Sequence, residues 1–360
     1  MLLGIIILIV KCMVVAVAMV STVPMSLLAE RRLSAFIQDR LGPNRVGPFG
    51  LLQPVADVIK FFFKEEFVPD KANKIIYIIA PLIAFVPGVI TFAVIPWGNV
   101  SWGNSFATGE TTGFLIGSTG SLAVADVGIG ILFVIAISSL NAYGLAYGGW
   151  SSNNKYSLLG GLRSSAQIIS FEIAMGLVLI SILMSTGSVD LNKIVIDQKD
   201  VFWGFIPNWL CFRQPLAFLL FIITAFAETN RLPFDMPEAE PELVGGYHTE
   251  YSSMKFAMFF MGEYIAMATM SAVITTLFLG GWYFPGMEAL FPAETTSPIV
   301  IGIISSFIFS AKTAFILFFF IWVRWTLPRV RWDQLMKTGW SILIPLALLN
   351  IVLTAIIKSI

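Results

Sequence analysis

The chain has 360 residues, no net formal charge and a mean hydropathy of +0.84; 57% of its residues are hydrophobic and 12% charged. Soluble domains carry about 25% charged residues, so an ordinary soluble enzyme is excluded, and without a basic excess so is a nucleic-acid surface. One His and two cysteines, Cys12 and Cys211, with no metal or redox spacing argue against a zinc, haem or iron–sulfur site in this chain.

A helix crosses a bilayer with about 20 mostly apolar residues. Eight stretches qualify: 3–29, 73–96, 121–147, 162–186, 213–228, 252–284, 299–325 and 339–358. The expected fold is therefore an all-α polytopic membrane protein with eight transmembrane helices in one membrane domain, 1–360, because a helix satisfies its own backbone in lipid. Residues 3–29 lack a basic leader and read as a retained first span.

Segment 30–72 follows. Its run Arg40-Leu-Gly-Pro-Asn-Arg-Val-Gly-Pro is a set of rigid turns. Beyond it Leu51, Leu52, Val55, Val58, Ile59, Phe62 and Phe63 recur at helical spacing, while Gln53, Asp57, Lys60 and Lys64 fall off the stripe. This predicts an amphipathic helix over about 50–66, too short to span and suited to the interface. It reads as an anchor or as one wall of an access site for a lipid-like molecule. The later connection 97–120 is rich in Gly, Ser, Thr and Asn and offers no chemistry.

Lys and Arg set the expected orientation. The connections 30–72, 148–161, 229–251 and 326–338, with the adjoining span ends, hold 16 of the 22 basic residues. The positive-inside rule puts these connections inside and both termini outside.

Five charges fall within spans: Lys11, Asp126, Glu172, Glu263 and Lys312. Each costs at least roughly 2.5–3.5 kcal/mol at mid-bilayer, so each needs a wet cavity, a partner or a neutral form. Glu172 and Glu263 fall near mid-membrane, with Lys11 and Lys312 as candidate partners. A structural ion pair and a proton path both remain open for them. Glu228 closes the fifth span and opens an acidic connection, 228–250, with six of the 22 acids: Glu228, Asp235, Glu238, Glu240, Glu242 and Glu250. Clustered carboxylates raise one another's pKa, so this loop can share protons; a docking surface for a basic partner is the other reading.

Four motifs carry a resemblance: Glu30-Arg-Arg-Leu; Arg40-Leu-Gly-Pro-Asn-Arg-Val-Gly-Pro-Phe-Gly-Leu-Leu-Gln-Pro-Val-Ala-Asp57; Asn153-Asn-Lys-Tyr-Ser-Leu-Leu-Gly-Gly-Leu-Arg163; and Ala227-Glu-Thr-Asn-Arg-Leu-Pro-Phe-Asp235. Over nearly the whole chain the sequence resembles subunit 1, the H-type membrane subunit of respiratory complex I, the proton-pumping NADH:quinone oxidoreductase. The resemblance implies a translocase subunit without redox centres, not catalytic alone. It would form the quinone-access tunnel with the peripheral arm and couple quinone reduction to proton movement. Quinone, ubiquinone or menaquinone, would be the substrate; NADH, FMN and iron–sulfur clusters would belong to partner subunits. The partners would be the peripheral quinone-site subunits and the small and antiporter-like membrane subunits. The setting would be an energy-coupling membrane, the bacterial inner membrane ahead of the mitochondrial one.

The same resemblance assigns Glu30, Arg31, Arg40, Asp235, Phe259 and Phe260 to the quinone tunnel. It assigns Glu172, Glu228, Glu238, Glu240, Glu242, Glu250 and Glu263 to the proton path and its coupling. The alternatives are a homologous anchor subunit of an energy-converting hydrogenase-type complex and a stand-alone proton or cation transporter.

Overall fold

The computed structural model describes residues 2–102, 120–202, 206–237, 243–292 and 295–359. The described residues are overwhelmingly helical. The elements that position the site are α1 (Leu2–Ile37), α2 (Gln53–Phe63), α3 (Lys74–Phe92), α4 (Gly130–Ser138), α5 (Leu140–Ser151), α6 (Lys155–Thr186), α7 (Leu191–Asp197), α8 (Leu210–Arg213), α9 (Pro215–Glu228), α10 (Ser253–Phe278), α11 (Met287–Leu290), α12 (Pro298–Thr326), α13 (Trp332–Lys337) and α14 (Ile344–Ser359). A two-residue antiparallel ladder pairs Val201 with Pro207 and Phe202 with Ile206.

Seven helical segments among the described residues are long and apolar enough to cross a membrane: Ile9–Ile37, Lys74–Phe92, Gly130–Ser151, Lys155–Thr186, Ser253–Phe278, Pro298–Thr326 and Trp332–Ser359. The remaining predicted stretch, the fifth, 213–228, is the shorter apolar helix α9, 14 residues and therefore about 21 Å long. Helix bounds differ from the hydropathy in informative places. Helix begins at Gly130 rather than near 121, because Ser121 forms an isolated bridge with Asn99. The helix after the acidic loop stops at Phe278, where Gly280 and Gly281 take positive φ. The last span is reached through a π-helical turn, Thr338–Leu343, that joins α13 to α14.

α10 is the buried axis. Its residues from Met267 to Phe278 are all buried, and it packs against α1, α3 and α12. α6 packs in turn against α5, α9 and α14. Small residues allow the close approaches: a Cβ on Gly144 would lie 2.5 Å from the Ala84 backbone nitrogen, and one on Gly160 2.7 Å from Gly246 Cα. The second contact seats the short 3-10 turn Gly246–His248 of the acidic loop on α6. Outward faces stay apolar, as at Met25, Phe307 and Ile357. A bundle must present such a surface to lipid.

α2 covers the centre of the predicted 50–66 stretch. Val55, Val58, Ile59, Phe62 and Phe63 are exposed, while Asp57 is drawn to α1 by an ion pair with Arg31, 2.7 Å.

Candidate functional site

The C-terminal ends of α1, α9 and α12 meet the N-terminal end of α10 at one end of the bundle. Glu30, near the end of α1, is their common centre. It is buried, and Arg324 of α12 pairs with its Oε1 at 2.6 Å. The Tyr264 hydroxyl donates to its Oε2 at 2.7 Å, and Arg231 approaches the same oxygen at 3.6 Å. The Arg231 guanidinium also stacks 4.2 Å from the Tyr264 ring centroid. Two arginines and a phenol around one carboxylate fix it in place, because a buried charge is tolerated only when paired and hydrogen-bonded.

The loop leaving α9 is held by Gln167 of α6. Its Nε2 donates to the Ala227 carbonyl at 2.8 Å, to Asn230 Oδ1 at 3.1 Å and to the Phe234 carbonyl at 2.8 Å. Asp235 follows and accepts from Arg329 Nη2 at 2.9 Å. Arg31 and Glu30 therefore face different partners: Arg31 reaches α2, Glu30 the bundle interior. Arg40 lies apart from this cluster, exposed, with its Nε donating to Gln38. Glu238, Glu240 and Glu242 lie outside the described residues.

Phe259 and Phe260 point to different neighbours. Phe259 is buried against Tyr247 and Tyr251, with ring centroids at 5.2 and 4.9 Å. Phe260 is half-buried and continues an aromatic ladder. Phe61 of α2 meets Phe256 at 6.1 Å, Phe256 meets Phe260 at 5.5 Å, and Phe260 meets Tyr264 at 5.9 Å. The ladder ends on the Tyr264 hydroxyl at Glu30.

The remaining acids form a second group. Glu263 of α10 accepts from the Tyr247 hydroxyl at 2.9 Å. Glu250 Oε1 accepts from Asn154 Nδ2 at 2.6 Å, and its carbonyl accepts from the Tyr77 hydroxyl. Tyr251, just before α10, stacks on Tyr77 at 4.1 Å and meets the Ser151 hydroxyl at 3.1 Å. Burial pushes its phenol up to about 12.

Glu228 differs from all of these. It is buried, its Oε2 has no hydrogen-bond partner, and it interacts with the Ser138 hydroxyl and the Glu172 carboxylate. Glu172 is half-buried on α6, and no cation pairs with either acid among the described residues. Glu228 lines a cavity of ≈ 30 Å³ with Thr91, Ser138, Asn141 and Thr269. That is room for one or two waters, in a cavity whose remaining lining, Ala84, Pro87, Val134, Ala266 and Met270 among it, is apolar. Lys312, a candidate counter-ion for the buried glutamates, is held instead by backbone carbonyls. Lys11 donates to the Ala123 carbonyl.

Several partners are not evident from sequence: Arg324, Arg231 and Tyr264 around Glu30, Arg329 at Asp235, Tyr247 at Glu263, and Gln167 behind the loop. The run Arg324-Trp-Thr-Leu-Pro-Arg-Val-Arg331 is the available signal, since three arginines so close to a span end need acids opposite them.

A family profile described as NADH dehydrogenase matches residues 10–355. The chain is 50% identical to an H-type NADH-quinone oxidoreductase subunit of Geobacter metallireducens, over 97% of this chain and 94% of that protein. It is 49% identical to an H-type subunit of the same enzyme from Geobacter sulfurreducens, again over 97% and 94%. It is 48% identical to NADH-quinone oxidoreductase subunit 8 of Rhodothermus marinus, over 94% and 93%. With a family profile spanning almost the whole length and relatives near half identity, the chain belongs to the NADH dehydrogenase family, that of the H-type membrane subunit of complex I.

Proposed function

We propose that this chain provides the membrane wall of a quinone-access tunnel and couples quinone reduction to proton translocation through its buried acids. The observation that carries the quinone part is the aromatic ladder. It leads from the exposed apolar face of α2, through Phe61, Phe256 and Phe260, to the charged cluster of Glu30, Arg231 and Arg324. An apolar chain follows the rings from lipid, and aromatic faces stack a quinone head. Arginines and a phenol at the far end can hydrogen-bond its carbonyl oxygens. Arg31 and Asp57 tie α2 to α1 at the mouth. Arg40 belongs to the same mouth, on the exposed segment after α1. Asp235 and Glu250 would lie in the loop beneath the head, and the acids Glu238, Glu240 and Glu242 of the same stretch of sequence would take part in the coupling.

The proton part rests on Glu228. Among the described residues no cation pairs with this buried carboxylate, one of its oxygens has no hydrogen-bond partner and it lines a small cavity, which is the setting of an intramembrane acid on a proton route. Glu172 and Glu263 extend this group on α6 and α10. Reduction of quinone at the ladder's end would alter the charge above the loop, and Glu228, Glu172 and Glu263 would relay that change.

In this reading α9 is the eighth span and α2 lies in the interface. The loop end faces inward, both termini face outward, and the setting is a bacterial inner membrane. Peripheral quinone-site subunits dock on the loop end, and the small and antiporter-like membrane subunits on the bundle's side. NADH, FMN and iron–sulfur clusters belong to those partners. The names of the relatives favour this quinone-linked form over a hydrogenase-type anchor or a stand-alone transporter.

The test uses the assembled complex in vesicles. Phe260→Ala should raise KM for a soluble quinone with a smaller effect on kcat. Glu172→Gln and Glu263→Gln should lower proton-coupled quinone reduction. Wild-type quinone kinetics in the first, together with wild-type rates and gradients in the other two, would overturn the proposal.

A further inference from the structure

One face of α6 holds both limbs of the acidic loop. Ser157, Gly160, Ser164, Gln167 and Phe171 recur at three- and four-residue spacing, so they share a side of the helix, and all five are buried. On the later limb, Ser157 Oγ donates to the Tyr247 carbonyl at 2.9 Å. On the earlier limb, Ser164 Oγ accepts from Asn230 Nδ2 at 3.3 Å, and the Phe171 ring meets that of Phe234 at 5.8 Å. Gln167 lies between Ser164 and Phe171 and has the firmest grip.

The Gln167 amide can face only one way. Its Nε2 lies 2.8 Å from both the Ala227 and the Phe234 carbonyls and 3.1 Å from Asn230 Oδ1. Backbone carbonyls only accept, so the nitrogen must point at them. Two N–H groups serve three oxygens, so one of them is shared. Gln167 Oε1 is buried and meets no donor among the described residues. The side chain is therefore placed by its nitrogen alone, and the loop is what that nitrogen holds.

Each of the three acceptors belongs to the residue just before a charged one. Ala227 precedes Glu228, which lines the small cavity. Asn230 precedes Arg231, which approaches Glu30 at 3.6 Å. Phe234 precedes Asp235, which pairs with Arg329 at 2.9 Å. One neutral side chain thus sits at the hub of three charged residues whose own partners lie on different elements.

We propose that Gln167 is a positioning residue for coupling: its amide fixes Glu228, Arg231 and Asp235 relative to one another, so that a displacement at the quinone end of the loop is carried to Glu228. The inference rests on the reading of this chain as a tunnel wall and proton coupler. Gln167 acts only through the loop backbone and Asn230. Misplacement of a group by about 1 Å can cost as much as 100-fold in rate, so a lost anchor should be visible in kinetics.

The experiment uses the whole complex in vesicles, with all values taken per assembled complex. Gln167→Met keeps an unbranched side chain and removes both donors. It should raise KM for a soluble quinone several-fold and also lower the number of protons moved per quinone reduced. Phe260→Ala should change mainly KM, and Glu228→Gln mainly the proton ratio. A residue that only fills space would alter the yield or melting temperature of the complex and leave KM and the ratio at wild-type values. That result, with both control variants responding, overturns the proposal. Should the Met variant fail to assemble, Asn230→Gly removes one anchor and keeps the backbone φ of 50° at that position. It should move KM and the ratio in the same directions, and wild-type values for both overturn the proposal as well. Hydrogen exchange of amides 227–236 reads the anchor without quinone. It should quicken several-fold in Gln167→Met, and unchanged exchange overturns the proposal whatever the kinetics. Quickened exchange beside unresponsive Phe260→Ala and Glu228→Gln overturns the tunnel-and-coupling reading itself, and the proposal with it.

Discussion

Glu30 and Glu228 are both buried acids at the same end of the bundle, 6% and 4% exposed, yet they are opposite objects. Glu30 has two arginines and a tyrosine hydroxyl around it. Glu228 has a serine hydroxyl, a second acid and a cavity, and one of its oxygens meets no partner. Burial alone therefore does not mark a functional acid. The neighbours distinguish them: two arginines and a phenol surround the one, and a hydroxyl, a second acid and a small cavity the other.

The largest effect should come from breaking the first environment. Arg324→Ala leaves Glu30 as an incompletely compensated buried charge, which costs about 3–5 kcal/mol. Loss of assembled complex on native gels, or a large fall in its melting temperature, should report this. Glu228→Gln should show the reverse profile. A neutral isostere in a site without cations should change stability within about 1 kcal/mol, an ordinary single-substitution effect. Proton pumping per quinone reduced should nonetheless fall. If Glu228→Gln destabilises as strongly as Arg324→Ala, the contrast between the two acids collapses.

A smaller effect concerns Tyr251, which lies outside the spans. Its phenol is raised by burial to about 12, against an ordinary value near 10. A raised folded value means that the native state holds its proton longer than the unfolded chain. The stabilising contribution is complete below about pH 10 and is lost as pH rises through about 12. Ultraviolet titration of tyrosinate alongside helix content should show late ionisation coincident with loosening of the loop end, and Tyr251→Phe should remove that step. Asn154→Ala deletes two hydrogen bonds, the one it donates to Glu250 and the N-cap bond it accepts from the Tyr156 N–H, and should cost about 1–2 kcal/mol in thermal melts.

The helical class and most span positions were legible because hydropathy over 20 residues needs no knowledge of neighbours. The acids were legible too, since a charge in an apolar run stands out. Their environments were not. Glu30 and Arg31 are neighbours in sequence, but Arg31 turns away to Asp57, and the partners of Glu30 come from positions 231, 264 and 324. Such pairings depend on which helix faces are apposed, which no local pattern records. Lys312 misled for a similar reason: an intramembrane lysine suggests a carboxylate partner, and backbone carbonyls carry no sequence signature.

The shortness of α9 has an electrical consequence. A helix of about 21 Å in a hydrocarbon layer of about 30 Å leaves roughly 9 Å uncrossed. Arg213, just ahead of its first residue, is part exposed, whereas Glu228, Thr229, Asn230 and Arg231 at its other end are all buried. If, in the eight-span reading, the shortfall lies on the Glu228 side, a proton reaching that carboxylate would have travelled about a third of the way through the transmembrane field. A full crossing is worth about 2.3 kcal/mol per 100 mV, so the occupancy of Glu228 would shift by about 0.7 kcal/mol for the same voltage. The acid would then sense the gradient it helps to build, and back-pressure on the pump would begin at this residue.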